Sequence, residues 1–365
     1  MSSPPDRRDL HVALVCPYDL GRHGGVQDQV LELARWLGEE GHRATVVGPG
    51  ETEREGTVLV GPARVVRANR SEAPVALGPG VWSRVAGALA GVDVVHVHEP
   101  LMPAVSLAAM RAGPAPVVAT LHADASAMVR RVLRIGRPVV RRLLRRAAVV
   151  TAVSPVAATV VAGAVPVRLV PNGIDTALWS DQESGRPVDT PAKRPGSVVF
   201  VGRDDARKGL DVLLAAWPAV AARVPGASLE VIGSSRPGSA LPGVTFRGRV
   251  GDDTKRRVMG SAEVLVAPNT AGESFGIVLV EGMASRCALV ASALPGFVHV
   301  GGNAARWVAP GDAAALADAV AGLLSDPVTR GALVERGIER VARFDRGPVL
   351  AGYLAAYRDA LGDRT

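Results

Sequence analysis

Three short stretches of this chain combine the residue types that hold anions. The first, GESFGIVLVEGM (272–283), sets Glu273, Ser274 and two glycines against an apolar run, with Glu281 eight residues after Glu273. A helix starting near Ser274 would direct the backbone N–H groups of Phe275, Gly276, Ile277 and Val278 outward from its positive end, where a diphosphate is stabilised. Glu281 would then lie about two turns in, placed to accept from a ribose diol. Glu273, just outside the helix, would accept from sugar hydroxyls. An acid beside a diphosphate is electrostatically costly, so hydroxyl recognition is the reason to keep one there. The plainer alternative is capping by Ser274, with acids favoured near the helix start.

The second stretch, VGRDDARKG (201–209), offers Arg203 and Lys208, a planar fork and a point charge that together neutralise a diphosphate. The alternative is a solvated loop whose cations pair with Asp204 and Asp205. The third, CPYDLGRHGGVQDQV (16–30), places Gly24 and Gly25 immediately before a helix, where bare backbone admits a phosphate; the same pair is also ordinary turn chemistry. His122 closes the run PVVATLH, and His96 and His98 alternate in VDVVHVHEP. The HVHE run has no partner cluster at ligand spacing, and no Asp-x-Asp pair closes a strand, so a site without metal is expected.

These loops need a scaffold that presents strand ends. Mostly apolar, β-branched runs occur at 10–16, 44–48, 92–98, 116–122 and 147–153, then at 197–202, 228–233, 244–248, 262–268 and 288–292. Continuous apolarity is the mark of parallel strands covered on both faces. Between them lie amphipathic helices such as QDQVLELARWLGEEG (27–41), stopped at Gly41. Two sets of alternating strand and helix predict two doubly wound α/β units, joined by the Pro/Gly-rich segment 170–196. Ligands of such sheets bind beyond the C-terminal strand ends, and in a two-unit protein those ends can face each other across a cleft.

The 365 residues are too many for one ordinary core, and 48% hydrophobic with 21% charged is a globular composition. Cys16 and Cys287 sit in apolar stretches and read as reduced thiols. The net charge of +7 suits an acidic partner, yet 4% aromatic residues provide no stacking platform for nucleic acid. The N-terminus MSSPPDRRD has no apolar signal core, so a cytoplasmic protein is expected. Residues 147–167 carry no charge, but Pro155 and Pro166 punctuate them as strand, turn and helix and not as a membrane span.

The motifs GGVQ, HEP (98–100), ATLH (119–122), VPNGID, GRDDARKG and GESFGIVLVEGM resemble the family 4 retaining glycosyltransferases over essentially the whole chain. Their form is most similar to the actinobacterial phosphatidylinositol mannosyltransferases. The resemblance implies a GT-B fold with an N-terminal acceptor-binding unit, 1–172, and a C-terminal nucleotide-sugar unit, 173–345. The segment FDRGPVLAGYLAAYRDAL (344–361) would be the helix, about 346–365, that crosses back to the first unit. It implies that Gly25 admits the donor diphosphate, that Arg203 and Lys208 hold it, and that Glu273 binds hexose hydroxyls. The 274–278 segment would contact phosphate and sugar, and Glu281 the ribose. His122 would lie near the transferring carbon, and Tyr18 and Gln27 would touch the inositol ring of the acceptor. The implied donor is GDP-mannose, with no cofactor, and the implied acceptor is phosphatidyl-myo-inositol at the inner membrane face. Another nucleotide-sugar with a soluble acceptor, or a nucleotide-sugar epimerase on the same scaffold, are the competing readings.

The resemblance also leads one to expect a Lys/Arg-rich membrane helix at 78–93, where this chain has only Arg84. By contrast MVRRVLRIGRPVVRRLLRRA (128–147) carries eight arginines and no acid. Arg130, Arg134, Arg137, Arg141 and Arg145 fall at helical spacing opposite Val129, Val132, Leu133, Val140, Leu143 and Leu144. That is a basic amphipathic pair broken at Gly136–Pro138, suited to anionic headgroups or simply to a solvated face of a packed helix.

Overall fold

Parallel strands dominate, as continuous β-branched runs require. In the computed structural model, described for residues 9–52, 55–68, 71–76, 80–124, 127–179, 192–234, 236 and 241–362, the chain divides into two units, 1–172 with 347–365, and 173–346. The N-terminal segment and residues 180–191 of the expected linker lie outside the described residues, as do 78–79 and 363–365.

The first unit holds β1 (His11–Val15), β2 (Arg43–Gly48), β3 (Thr57–Leu59), β4 (Ala63–Ala68), β5 (Ser71–Ala76), β6 (Val94–His98), β7 (Val117–Leu121), β8 (Ala147–Ala152) and β9 (Arg168–Leu169). Seven of them form one parallel sheet in the order β3-β2-β1-β6-β7-β8-β9, and β4 and β5 pair as a separate antiparallel hairpin. Its helices are α1 (Gly25–Glu39), α2 (Val81–Ala88), α3 (Val105–Ala109), α4 (Ala127–Ile135), α5 (Arg137–Leu144) and α6 (Pro155–Ala158). Helix α1 buries Val30, Leu33, Trp36 and Leu37, one face at helical spacing, against the sheet. The uncharged stretch 147–167 becomes β8, then α6 capped by Ser154, which accepts from the Ala157 N–H at 3.1 Å, then a 3₁₀ turn. Among the described residues no helix is long and apolar enough to cross a membrane.

The second unit holds α7 (Leu210–Arg223), α8 (Asp252–Ser261), α9 (Ile277–Ala284), α10 (Pro295–Gly301), α11 (Ala313–Ser325) and α12 (Pro327–Val341) around a six-stranded parallel sheet. The strands are β10 (Ser197–Val201), β11 (Ser228–Ile232), β12 (Val244–Gly248), β13 (Val264–Ala267), β14 (Ala288–Ser292) and β15 (Ala305–Val308), ordered β12-β11-β10-β13-β14-β15. The order reverses at β10, between β11 and β13, which is where open α/β sheets bind ligands. The last helix, α13 (Arg346–Leu361), belongs to the first unit and buries Leu350, Tyr353 and Tyr357 in that core.

Candidate active site

In the second unit the loops after β10 and β13 lie side by side. After β10 the chain makes a 3₁₀ turn, Ala206–Lys208, capped by Asp205, which accepts from the Arg207 N–H at 2.9 Å. Gly209 follows at φ 72; a Cβ there would stand 1.9 Å from the Pro268 carbonyl oxygen, so only glycine lets the two loops approach. Their register is fixed by the Thr270 N–H donating to the Arg207 carbonyl at 2.8 Å.

This packing sets the charges. Asp204 pairs with Arg236 at 2.7 Å, and Asp205 with Arg207 at 2.6 Å, a partnership that holds the Asp205 carboxyl below its ordinary range. The two acids flanking the basic pair are therefore engaged elsewhere. Arg203 is exposed and has no ion-pair partner among the described residues. Lys208 reaches across to Glu273, Nζ to Oε2 at 2.8 Å, and Asn269 Nδ2 donates to the same oxygen at 2.8 Å. The solvated-loop alternative holds for Arg207, which pairs with Asp205, and not for Lys208, which turns to Glu273.

The helix start differs from the expectation. Helix α9 begins at Ile277, not near Ser274, and its N-cap is Gly276 at φ 98 with no side-chain cap. The reason is tertiary: a Cβ on Gly276 would meet the Phe297 ring at 2.4 Å, and the Phe275 ring is buried edge-on against Phe344 at 5.6 Å. Ser274 is consequently no cap, and Phe275 is a core residue. The amides leaving the helix start are those of Ile277 and Val278, while Leu279 N–H already donates to Gly276. Glu281 lies inside α9, buried, with Oε1 accepting from Lys255 at 2.8 Å; the Lys255 ammonium also stands 5.4 Å over the Trp179 ring.

In the first unit the corresponding strand ends carry a buried polar network. His122, one residue past β7, presents Nε2 to His98 Nδ1 at 2.8 Å. Glu99, one residue past β6, bends back at φ 51, and its Oε1 accepts from the His122 and Ala123 N–H groups at 2.8 and 2.6 Å. Behind them His96 bridges Thr120 at 2.6 Å and Tyr357 of α13 at 2.8 Å. Burial pushes His122 down to about 4 and His96 to about 3, and His98 well below its ordinary value, so all three are neutral near neutrality. The Asn172 side chain opposes that shift at His122 without completing a bond; His122 Nδ1, His98 Nε2 and Asn172 Oδ1 are buried without a partner among the described residues. Burial also raises Glu99 to about 7, against the two N–H bonds it accepts.

The loop after β1 brings Tyr18, and the first turn of α1 brings Gln27, to this same edge. Tyr18 is half-buried, its hydroxyl pushed well up by burial and then by nearby Glu99. Gln27 is buried and donates to the Asp19 carbonyl at 3.4 Å. Gly25 is the first residue of α1 and does not precede it; a Cβ there would meet nothing within 4 Å, so open space lies before its backbone. Within the second unit Lys208 and Glu273 come together, Arg203 shares the loop of Lys208, and Glu281 sits deeper in α9. Within the first unit His122, Tyr18, Gln27 and Gly25 share one sheet edge. Glu99, Asn269 and Lys255 escaped the sequence reading; only the HEP run hinted at Glu99.

Comparison with known proteins agrees with this architecture. The Glycosyltransferase Family 4 profile matches residues 23–178, and the Glycosyl transferases group 1 profile matches 195–326. The phosphatidyl-myo-inositol mannosyltransferase of Mycolicibacterium smegmatis is 35% identical, covering 97% of this chain and 95% of its own. That of Mycobacterium leprae is also 35% identical, covering 95% and 96%. Among solved structures, a Rickettsia africae glycosyltransferase superposes with TM-score 0.73 at 18% identity, covering 98% of this chain and 100% of that one. Anabaena HepE in complex with UDP-glucose gives 0.71 at 18%, covering 95% and 100%. The chain belongs to the family 4 glycosyltransferases, enzymes of the GT-B fold.

Proposed function

We propose that the protein transfers mannose from GDP-mannose to phosphatidyl-myo-inositol, with retention of the α-configuration and without a divalent cation. The observation that carries the donor half is the Lys208–Glu273 contact at 2.8 Å, with Arg203 on the loop of Lys208 and without an ion-pair partner among the described residues. A diphosphate entering there takes the Arg203 guanidinium as a fork and Lys208 as a point charge, with the Ile277 and Val278 amides adding the positive end of α9. Glu273 then turns its acceptor capacity to hexose hydroxyls, and Glu281 to the ribose diol. On the acceptor side Tyr18 and Gln27 bind the inositol ring, and bare backbone at Gly25 admits the diphosphate. Neutral His122 donates to a sugar hydroxyl near the transferring carbon.

In the reaction the inositol hydroxyl oxygen bonds to the anomeric carbon on the face the nucleotide leaves. The bond from that carbon to the phosphate oxygen breaks, its electron pair goes to the diphosphate, and the same phosphate takes the hydroxyl proton. No protein base is required; the protein stabilises the departing charge and positions the two reactants. The assignment of mannose and inositol is supported by relatives that are phosphatidyl-myo-inositol mannosyltransferases over nearly their whole length.

The test is incubation with radiolabelled GDP-mannose or UDP-sugars, with and without phosphatidylinositol liposomes. Lipid-soluble label from GDP-mannose alone supports the reading. Label only on soluble sugars moves the protein to a soluble acceptor.

A further inference from the structure

Strand β6 ends at His98, yet the ladder it shares with β7 is carried one step further by a side chain. The Glu99 N–H still donates to the Thr120 carbonyl at 2.8 Å, as the next residue of a parallel pair does. A regular continuation would have the Glu99 carbonyl accept from the His122 N–H. That carbonyl has turned away: Glu99 adopts φ 51, and its carbonyl accepts from the Met102 N–H at 3.0 Å. Glu99 Oε1 stands in for it, accepting from the N–H groups of His122 and Ala123 at 2.8 and 2.6 Å. A left-handed backbone is costly for a residue with a Cβ and persists only where the surroundings fix it. Glu99 is buried, so withdrawing its carboxyl would leave two amides at the end of β7 without their acceptor.

We infer that Glu99 is the positioning residue of His122: its side-chain oxygen fixes the backbone from which the imidazole is aimed at the transferring carbon, and it takes no proton in the reaction. The ring has a second anchor in His98, Nδ1 to Nε2 at 2.8 Å. His98 is fixed in turn through its carbonyl, which accepts from Ser106 Oγ at 3.0 Å. Held at backbone and ring, His122 keeps one orientation, and Nδ1 is the ring nitrogen that no described residue bonds. A fixed negative charge is not what Glu99 supplies. Burial raises its carboxyl to about 7 against the two bonds it accepts, whereas an acceptor oxygen is present in both protonation states. The proposal rests on the transfer reading for what His122 acts on; the anchoring of the ring does not depend on it.

Transfer kinetics and ring-nitrogen magnetic resonance of the full-length protein, labelled at histidine, test this together. In Glu99→Asp the shorter side chain cannot bring one oxygen to both amides. Its kcat for transfer from GDP-mannose to phosphatidylinositol liposomes falls about a hundredfold, while KM for GDP-mannose stays within about twofold, as misplacement of one group by about 1 Å predicts. Glu99→Gln keeps a carbonyl oxygen at the same reach and returns kcat to within about threefold of the parent. Placed on His122→Ala, Glu99→Asp causes no further loss, because the residue it positions is gone. The ring spectra read the anchor without turnover: the His98–His122 signals move in the Asp variant and stay parental in the Gln variant. A Gln variant as slow as the Asp variant, or with displaced ring signals, overturns the proposal, since charge and not an acceptor oxygen would then be needed. An undiminished loss from Glu99→Asp in the His122→Ala background overturns it too, as general damage to the loop. If the parent transfers no mannose, the transfer reading fails, and the ring spectra alone decide whether Glu99 anchors His122.

Discussion

Glu273 sits between two donors, Lys208 and Asn269, on one oxygen, which gives a substitution at that position an uncommon signature. Removing the acid frees Lys208 for phosphate. Glu273→Ala therefore abolishes turnover while GDP affinity, measured by calorimetry, stays within severalfold of the parent. Lys208→Ala is expected to lower kcat by roughly two to three orders of magnitude, the usual cost of deleting a donor aimed at developing negative charge. The buried network gives a pH prediction of definite sign. His122 and His96 titrate at about 4 and 3 when folded but near their ordinary 6.5 when unfolded, so they add stability above 6.5 that is lost as pH falls toward 4. Glu99, raised to about 7, adds stability below its ordinary 4.5 that is lost as pH rises through 7. Between about 4.5 and 6.5 the two trends oppose each other. Glu99→Gln removes the opposing one, so its melting temperature falls more steeply with acid than the parent's; identical slopes would contradict the assignment. The places of Arg203, Lys208, Glu273 and His122 after strand ends were legible from the sequence because residue type and motif carried them. Glu99 was not, since its role comes from a left-handed backbone turn and a bond to the chain after β7.

Elements were legible in proportion to their burial. The central strands announce themselves as unbroken apolar runs, because parallel strands packed on both faces tolerate little else. Three of the four edge strands, β3, β9 and β15, did not, although the fourth, β12, was read at 244–248: β9 has only Arg168 and Leu169, both exposed, and β15 carries exposed Arg306. Edge strands have one neighbour, so their side chains are less constrained to be apolar. The start of α9 was misplaced by three residues because what sets it is the Phe297 ring against Gly276, a contact the local sequence does not record. Loop-to-loop approach at Gly209 has the same origin and is testable. Gly209→Ala needs φ 72 and a Cβ 1.9 Å from the Pro268 oxygen, so the two loops must part. A loss of about 3 kcal/mol or more in chemical denaturation is expected, with weakened GDP binding, since backbone strain and overpacking add. The equivalent change at Gly25, where nothing lies within 4 Å, should leave stability nearly unaltered.

At the scale of the whole molecule, the chain leaves the first unit at 172 and returns to it through α13 at 347. Val349, Leu350, Tyr353, Ala356 and Tyr357 of that helix are buried in the first core, and Tyr357 also holds His96. Burial of a large apolar side chain stabilises by about 1.5–3 kcal/mol, so the set is comparable with the roughly 5–15 kcal/mol that holds a domain together. Truncation after Arg346 is expected to abolish the unfolding transition of the first unit while the second still melts cooperatively and binds GDP. Loss of both transitions would show the units to be one cooperative block. The most direct measurement is the anomeric configuration of the product formed from GDP-mannose and a phosphatidyl-myo-inositol acceptor in the presence of a chelator, read by nuclear magnetic resonance. An α-mannoside formed at an undiminished rate is the predicted result; a β-mannoside, or transfer that stops until a divalent cation is restored, would contradict it.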